Sequence, residues 1–361
     1  MLNPRLEIRN LTRRFDGRDV VKDISLSILP GRVTCLLGPS GCGKSTTLRL
    51  IAGVEFQDAG EIYIDQQLVS GKRLQTPPEL RSVGFMFQDF ALFPHLRVGE
   101  NVAFSISGSK SRKRAHAKSL LEKVGLLNLI DQYPHSLSGG EQQRVALVRA
   151  LALKPKIMLM DEPFSGLDNR LRDEIRNETL DILKSENSAV LLVTHEPQEA
   201  MCMADEIALM REGSIVQVGS PYNVYNTPCD RASMAFFSDV NIINSRVVGS
   251  LADTAFGQFF APGHSNGTDV EIAFRPQHVR IDFDRNGKGP NPTASQGVAV
   301  CGKVIRSRFL GSDSLVEFQM EHDGSILKAK VPNVFLPESG RKLWLTVPRD
   351  RCLIFAKSSN W

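Results

Sequence analysis

The chain has 361 residues, more than one average domain, and an apolar fraction of 42%, ample for a large core. Its net charge of +4 is too small to argue for a nucleic-acid partner. Six scattered cysteines, with no CxxC pair and no adjoining histidine cluster, read as reduced intracellular thiols rather than a disulfide framework.

The first ten residues, MLNPRLEIRN, carry no apolar signal core, and no run of about 18 apolar residues occurs anywhere. A cytosolic protein is expected; work at a membrane would need other chains to span it. Residues 6–30 and 61–87 are β-rich, with turns at Asp16-Gly17 and Pro30-Gly31, and suggest an antiparallel flank. The uninterrupted apolar run Val33–Leu37, with similar runs at 157–160 and 189–193, fits strands buried on both faces of a largely parallel sheet. The helical patterns between these runs predict an α/β layer architecture. Residues 97–153 read as mainly helical. After about Asp239 short β-type runs appear, at 279–283 and 343–347, punctuated by Gly, Pro and Asn at 286–292. This predicts two domains, residues 1–240 and a small all-β domain over 241–361.

Gly38-Pro39-Ser40-Gly41-Cys42-Gly43-Lys44-Ser45 matches G-x-x-x-x-G-K-[ST] between a predicted strand and a predicted helix. Glycines let backbone N–H groups approach phosphate oxygens, and the helix start adds partial positive charge. Lys44 is placed to reach β- and γ-phosphates, and the Ser45 hydroxyl to meet Mg²⁺. The buried run at 157–160 ends in Asp161-Glu162. Adjacent carboxylates there are costly unless used, Asp161 for Mg²⁺ and Glu162 for polarising an attacking water. Leu137-Ser138-Gly139-Gly140-Glu141-Gln142-Gln143-Arg144 opens another helical pattern. Ser138 and Glu141 have capping-box spacing, so the segment reads in part as a well-capped helix. The glycine pair equally leaves N–H groups bare for an anion.

The segment 138–142 resembles the signature of the ABC ATPase family, and residues 6–240 fit that family. The resemblance implies a P-loop cassette with a RecA-like core, an antiparallel β flank and a helical subdomain over about 97–153. It implies ATP contacts from Phe15, Val20, Ser40, Gly41, Cys42, Gly43, Lys44, Ser45, Thr46 and Gln88. Mg²⁺ would be held by Ser45, Gln88 and Asp161, partly through water, with Glu162 and His195 catalytic. Two cassettes would pack head to tail as a homodimer, each site completed by Ser138, Gly139, Gly140, Glu141 and Asp168 of the other. The family commonly has glutamine at position 141; a glutamate there is expected to turn back and cap its own helix.

Residues 89–96 carry Phe90, Leu92, Phe93 and Leu96 with little charge. They fit both the helical core and a socket for a membrane partner near residues 90–96. The basic run over Lys110, Arg112, Lys113, Arg114 and Lys118 reads as a solvated helix face. Phe274-Arg275-Pro276-Gln277-His278-Val279-Arg280 and Phe309-Leu310-Gly311 resemble the OB-like (TOBE) domain of importer ATPases. The resemblance implies a peripheral protein at the cytoplasmic face of the inner membrane, with two permease subunits, an extracytoplasmic solute-binding protein and no nucleic acid. It extends to ferric-iron import ATPases; polyamine, sugar, sulfate or phosphonate importers share the motifs. A soluble non-transport ABC ATPase is the alternative of another class.

Overall fold

The computed structural model describes residues 3–167, 169–283 and 288–357. The chain forms two compact units, Met1–Cys229 and Asp230–Trp361. In the first, β1 (Leu6–Phe15) and β2 (Arg18–Ile28) make a hairpin that turns at Asp16 and Gly17, both at positive φ. Next come β3 (Val33–Leu37), α1 (Lys44–Ala52), β4 (Ala59–Ile64), β5 (Gln67–Gly71), β6 (Leu74–Gln75) and β7 (Val83–Met86). The helical segment holds α2 (Val98–Ala103), α3 (Lys110–Lys123) and α4 (Gly139–Leu151). The unit continues through β8 (Ile157–Asp161), α5 (Asn169–Ser185), β9 (Ala189–Thr194), α6 (Pro197–Met203), β10 (Glu206–Arg211), β11 (Ser214–Gly219) and α7 (Pro221–Asn226).

The strands form an antiparallel flank, β2-β1-β4-β5-β6, and a central sheet, β11-β10-β3-β9-β8-β7. All central pairs are parallel except the edge strand β11. Every residue of β3, β8 and β9 is buried, as expected where layers cover both faces of a parallel sheet. Leu6, Ile8 and Ile24 of the flank join Leu36, Leu48, Ile51, Leu159 and Leu191 in one core. Each such side chain contributes about 1.5–3 kcal/mol by leaving water.

One expectation is corrected here. Residues 83–86 do not belong to the antiparallel flank; β7 pairs in parallel with β8, Val83 opposite Ile157. The cause is Arg81, 1% exposed, whose guanidinium donates to the carbonyls of Leu50 and Ile51 at 2.9 Å each and of Thr76 at 2.7 Å. That side chain serves carbonyls at the end of α1, where the Leu50 carbonyl also accepts from the Gly53 N–H, and turns the chain out of the flank into the central sheet.

Val98, Val102, Leu121, Val145 and Val148 bind α2, α3 and α4 into a separate small core. Among the described residues no helix is long and apolar enough to cross a membrane.

The second unit starts with α8 (Arg231–Phe237), which Arg231 ties to Glu271 at 2.9 Å. Among the described residues its strands are β12 (Asn241–Val248), β13 (Leu251–Thr254), β14 (Gly257–Phe260), β15 (Asp269–Phe274), β16 (Arg280–Phe283), β17 (Val300–Phe309), β18 (Asp313–Met320), β19 (Ile326–Pro332), β20 (Lys342–Thr346) and β21 (Leu353–Ala356). They form sheets ordered β14-β13-β12-β15-β21 and β16-β20-β17-β18-β19 around a core with Phe274, Val304, Phe318 and Leu345. The break at 229/230 and the expected one at 240/241 bracket α8.

Candidate functional site

The parallel sheet places three chain segments side by side at the C-terminal ends of β3, β9 and β8. This is where an open α/β sheet builds its ligand crevice. After β3 the loop 38–43 leads into α1. Gly41 and Gly43 have φ of 80° and 107°, a region that disfavours side chains. A Cβ on Gly43 would lie 2.3 Å from the Val20 carbonyl oxygen, and one on Gly38 would lie 2.2 Å from that of Met210. The backbone is thus packed too tightly for anything but glycine. Gly43 caps α1 without a side-chain hydrogen bond, leaving the helix start open to an anion.

A cavity of about 420 Å³ at this loop is lined by Phe15, Val20, Ser40, Gly41, Gly43, Lys44, Ser45, Thr46 and Glu162. The Lys44 ammonium, 4% exposed, donates to the carbonyls of Gly38 and Pro39 at 2.8 and 2.9 Å. These partners are neutral, and among the described residues no carboxylate lies at hydrogen-bond distance from the ammonium, which suits a phosphate. Cys42 is not among the residues lining the cavity; its buried thiol accepts from the Lys44 ammonium at 3.9 Å, and burial raises its pKa. Phe15 stands at the cavity edge, with Arg13 4.4 Å from its ring centre.

Beside the loop, the Ser45 hydroxyl donates to Asp161 Oδ1 at 2.9 Å. Burial pushes the Asp161 carboxyl up, the Ser45 hydrogen bond opposes this, and the neighbouring Glu162 charge adds to it. A buried carboxylate in that state gains by meeting a cation. Glu162 takes a left-handed backbone, φ 43°, held by its N–H donating to the Val193 carbonyl at 2.9 Å. Such strain persists where neighbours enforce it. Its side chain meets two others. His195 Nδ1 lies 2.8 Å from Oε1, and Gln88 Nε2 donates to Oε2 at 3.4 Å. Residues far apart in sequence are therefore joined on one carboxylate, because β7, β8 and β9 are neighbours in the sheet.

Ser138, Gly139, Gly140 and Glu141 start α4 and, among the described residues, do not line the cavity around Lys44. Glu141 does turn back: its Oε2 accepts from the Ser138 N–H and hydroxyl, both at 2.8 Å. Those two hydrogen bonds hold its carboxyl below the usual range. Asp168 lies outside the described residues.

Three residues were missed by sequence reasoning. Arg149 donates to the carbonyls of Phe90 and Ala91, at 2.9 and 2.6 Å, steadying two residues at positive φ just after Gln88. Its signal was a cation among the apolar residues of α4. Arg172 bridges Glu196 and the Leu167 carbonyl. Glu199, 3% exposed, accepts from Thr194 Oγ1 at 2.6 Å, next to His195. Its sequence environment resembles an ordinary helix start, so nothing marked it.

The ABC transporter family matches residues 21–165, and the TOBE domain family matches residues 272–355. The putrescine transport ATP-binding protein PotG of Escherichia coli is 38% identical over 351 residues, 95% of this chain and 91% of its own length. The Fe(3+) ions import ATP-binding protein FbpC of Serratia marcescens is 36% identical over 326 residues, 90% of this chain and 92% of its own. A dimeric post-hydrolysis structure of the ATP-binding cassette MJ0796 bound to ADP and Pi aligns with a TM-score of 0.54 and 29% identity, covering 60% of this chain and 98% of that one. With the phosphate loop, the buried acid and the Glu162–His195 pair assembled in one crevice, this chain belongs to the ABC transporter family, as an ATP-binding, ATP-hydrolysing subunit that carries a TOBE domain.

Proposed function

We propose that two copies of this chain form the motor of a solute importer, peripheral to the cytoplasmic face of the inner membrane. The observation that carries turnover is the convergence of Gln88 and His195 on the two oxygens of Glu162, beside the Ser45–Asp161 pair. Lys44 and the 38–43 loop hold the phosphates; Phe15 and Val20 back the adenine. Ser45 and Asp161, with Gln88 through water, would hold Mg²⁺, whose charge offsets that of the phosphates. Glu162 polarises the attacking water, and His195 orients Glu162 and the terminal phosphate. Ser138, Gly139, Gly140, Glu141 and Asp168 of the second copy complete each site. The likeness to a dimeric cassette supports that arrangement.

A groove of about 520 Å³ beside the Gln88 loop is lined by Phe87, Ala91, Phe93, Phe104 and Leu153 among others. Phe87, Phe104 and Leu153 are exposed, whereas Phe90 is buried. The groove suits an apolar helix of a permease subunit, so both readings of residues 90–96 have a share: Phe90 in the core, Phe93 at the socket. An extracytoplasmic solute-binding protein would deliver the cargo.

Ferric iron is the cargo this reading favours, on the relatives named for its import. Putrescine is the second reading, because the putrescine relative spans 95% of this chain. Uptake of labelled ferric iron and labelled putrescine in cells lacking this chain separates them. Loss of iron uptake alone is expected. Loss of putrescine uptake alone would transfer the assignment, and normal uptake of both would remove both cargoes.

A further inference from the structure

We propose that Arg172 is a positioning residue that couples the segment ending at Leu167 to the catalytic pair Glu162–His195. The inference rests on the dimeric ATPase reading above. Arg172 lies on α5, and its side chain is 17% exposed. Nη1 donates to both carboxylate oxygens of Glu196, at 3.2 and 2.9 Å, and Nη2 donates to the Leu167 carbonyl at 3.1 Å. One planar fork thus spans the two loops. A guanidinium suits this task because its donors point in fixed, divergent directions.

The two loops differ in what they carry. Glu196 follows His195 directly. The Glu196 N–H donates to Thr194 Oγ1 at 3.0 Å, and that hydroxyl donates to the buried Glu199. His195 therefore sits between two anchored neighbours, Thr194 held by Glu199 and Glu196 held by Arg172. Leu167 ends the loop that the proposed dimer turns toward the second copy. Arg172 then holds the histidine loop of one site in register with the loop offered to the other. A shift of either loop reaches the other through one side chain, a contiguous physical connection rather than an inference from proximity.

If Arg172 merely pinned α5 to the body, its loss would lower stability and leave turnover per folded molecule unchanged. The test is a double-mutant cycle on the full-length chain, with Arg172→Ala, Glu196→Gln and the double variant. Turnover, trinitrophenyl-ATP affinity and melting temperature are measured on each. The expected result is a fall in kcat of about tenfold to a hundredfold in each single variant, since small misplacements of reacting groups cost that much. Nucleotide affinity stays within twofold of wild type, and the double variant is no slower than the slower single one. Arg172→Lys keeps the ion pair with Glu196 but cannot span both partners; it is expected to fold and lose less activity, and it decides the matter if Arg172→Ala does not fold. A kcat within twofold of wild type, losses that multiply in the double variant, or a fall in nucleotide affinity matching that in kcat would overturn the proposal. Wild-type turnover in the same assay separates the two failures: without it the ATPase reading fails, and with it only the role of Arg172 does.

Discussion

The molecule contains two glycine-bearing helix starts suited to anions, and they are built in opposite ways. α1 begins after Gly43 with no side-chain cap, so its N–H groups face an open cavity. α4 begins after Ser138 with a complete capping box: Ser138 Oγ accepts from the Glu141 N–H, and Glu141 accepts from Ser138 in return. On the proposed reading the first is a phosphate cradle within one chain. At the second, the cap takes the Ser138 and Glu141 N–H groups, and among the described residues this helix start does not line that cavity. The contrast teaches that an anion motif has to be judged by what already occupies its donors. On this account α1 holds nucleotide alone, whereas α4 acts only when a second copy brings nucleotide to it.

Substitution at the two glycines breaks the comparison most sharply. Gly43→Ala puts a Cβ 2.3 Å from the Val20 carbonyl oxygen at φ 107°, so nucleotide binding should be lost. Gly139→Ala meets only ordinary contacts, 3.8 Å from Leu167 Cδ2 and 3.9 Å from the Gly166 carbonyl oxygen. It should fold and bind trinitrophenyl-ATP as wild type does, while turnover falls by about tenfold if α4 serves the second copy. Equal loss of binding in both variants would erase the distinction between the two helix starts.

A smaller, pH-dependent effect concerns Glu199. Burial raises its pKa from 4.5 to about 7; the Thr194 hydrogen bond and the charges of Arg176 and Arg172 oppose the shift, and Glu196 adds to it. Its folded pKa lies above the unfolded one, so ionisation destabilises the fold. Stability is unaffected by Glu199 below about pH 4.5, falls as pH rises toward 7, and stays reduced above that. Glu199→Gln should therefore gain stability over wild type between pH 5 and 8, on the order of 3 kcal/mol at the upper end. Thermal melts across that range read it; a constant difference would contradict the buried-carboxyl account. Smaller again is Glu141→Ala. Losing half of the capping box should cost about 1 kcal/mol, read as a lower melting temperature.

How much of this was legible in the sequence follows the range of each interaction. The loop 38–45, the acid pair Asp161-Glu162 and the Ser138–Glu141 cap are local, so residue type and spacing suffice. The meeting of Gln88, Glu162 and His195 depends on the order of strands in the sheet, and family resemblance alone anticipated it. The parallel pairing of β7 escaped because Val83–Met86 continues a β-rich stretch, and its redirection depends on Arg81 reaching the end of α1. Arg149 and Arg172 escaped for a similar reason. Arg149 reaches backbone carbonyls of a distant loop, and Arg172 joins a carbonyl five residues away to a carboxylate on another loop; a carbonyl leaves no mark in a sequence.

The central claim is that each chain holds two incomplete halves of an ATP site. The most direct measurement is the molar mass of the Glu162→Gln chain in solution, with and without ATP and Mg²⁺. Removing the carboxylate should cost about 10²–10³ in turnover while leaving the phosphate cradle intact. The account predicts that the mass doubles when ATP is added and returns when it is removed. A chain that binds ATP fully yet keeps the mass of a single copy, or that turns over near the wild-type rate, would contradict it.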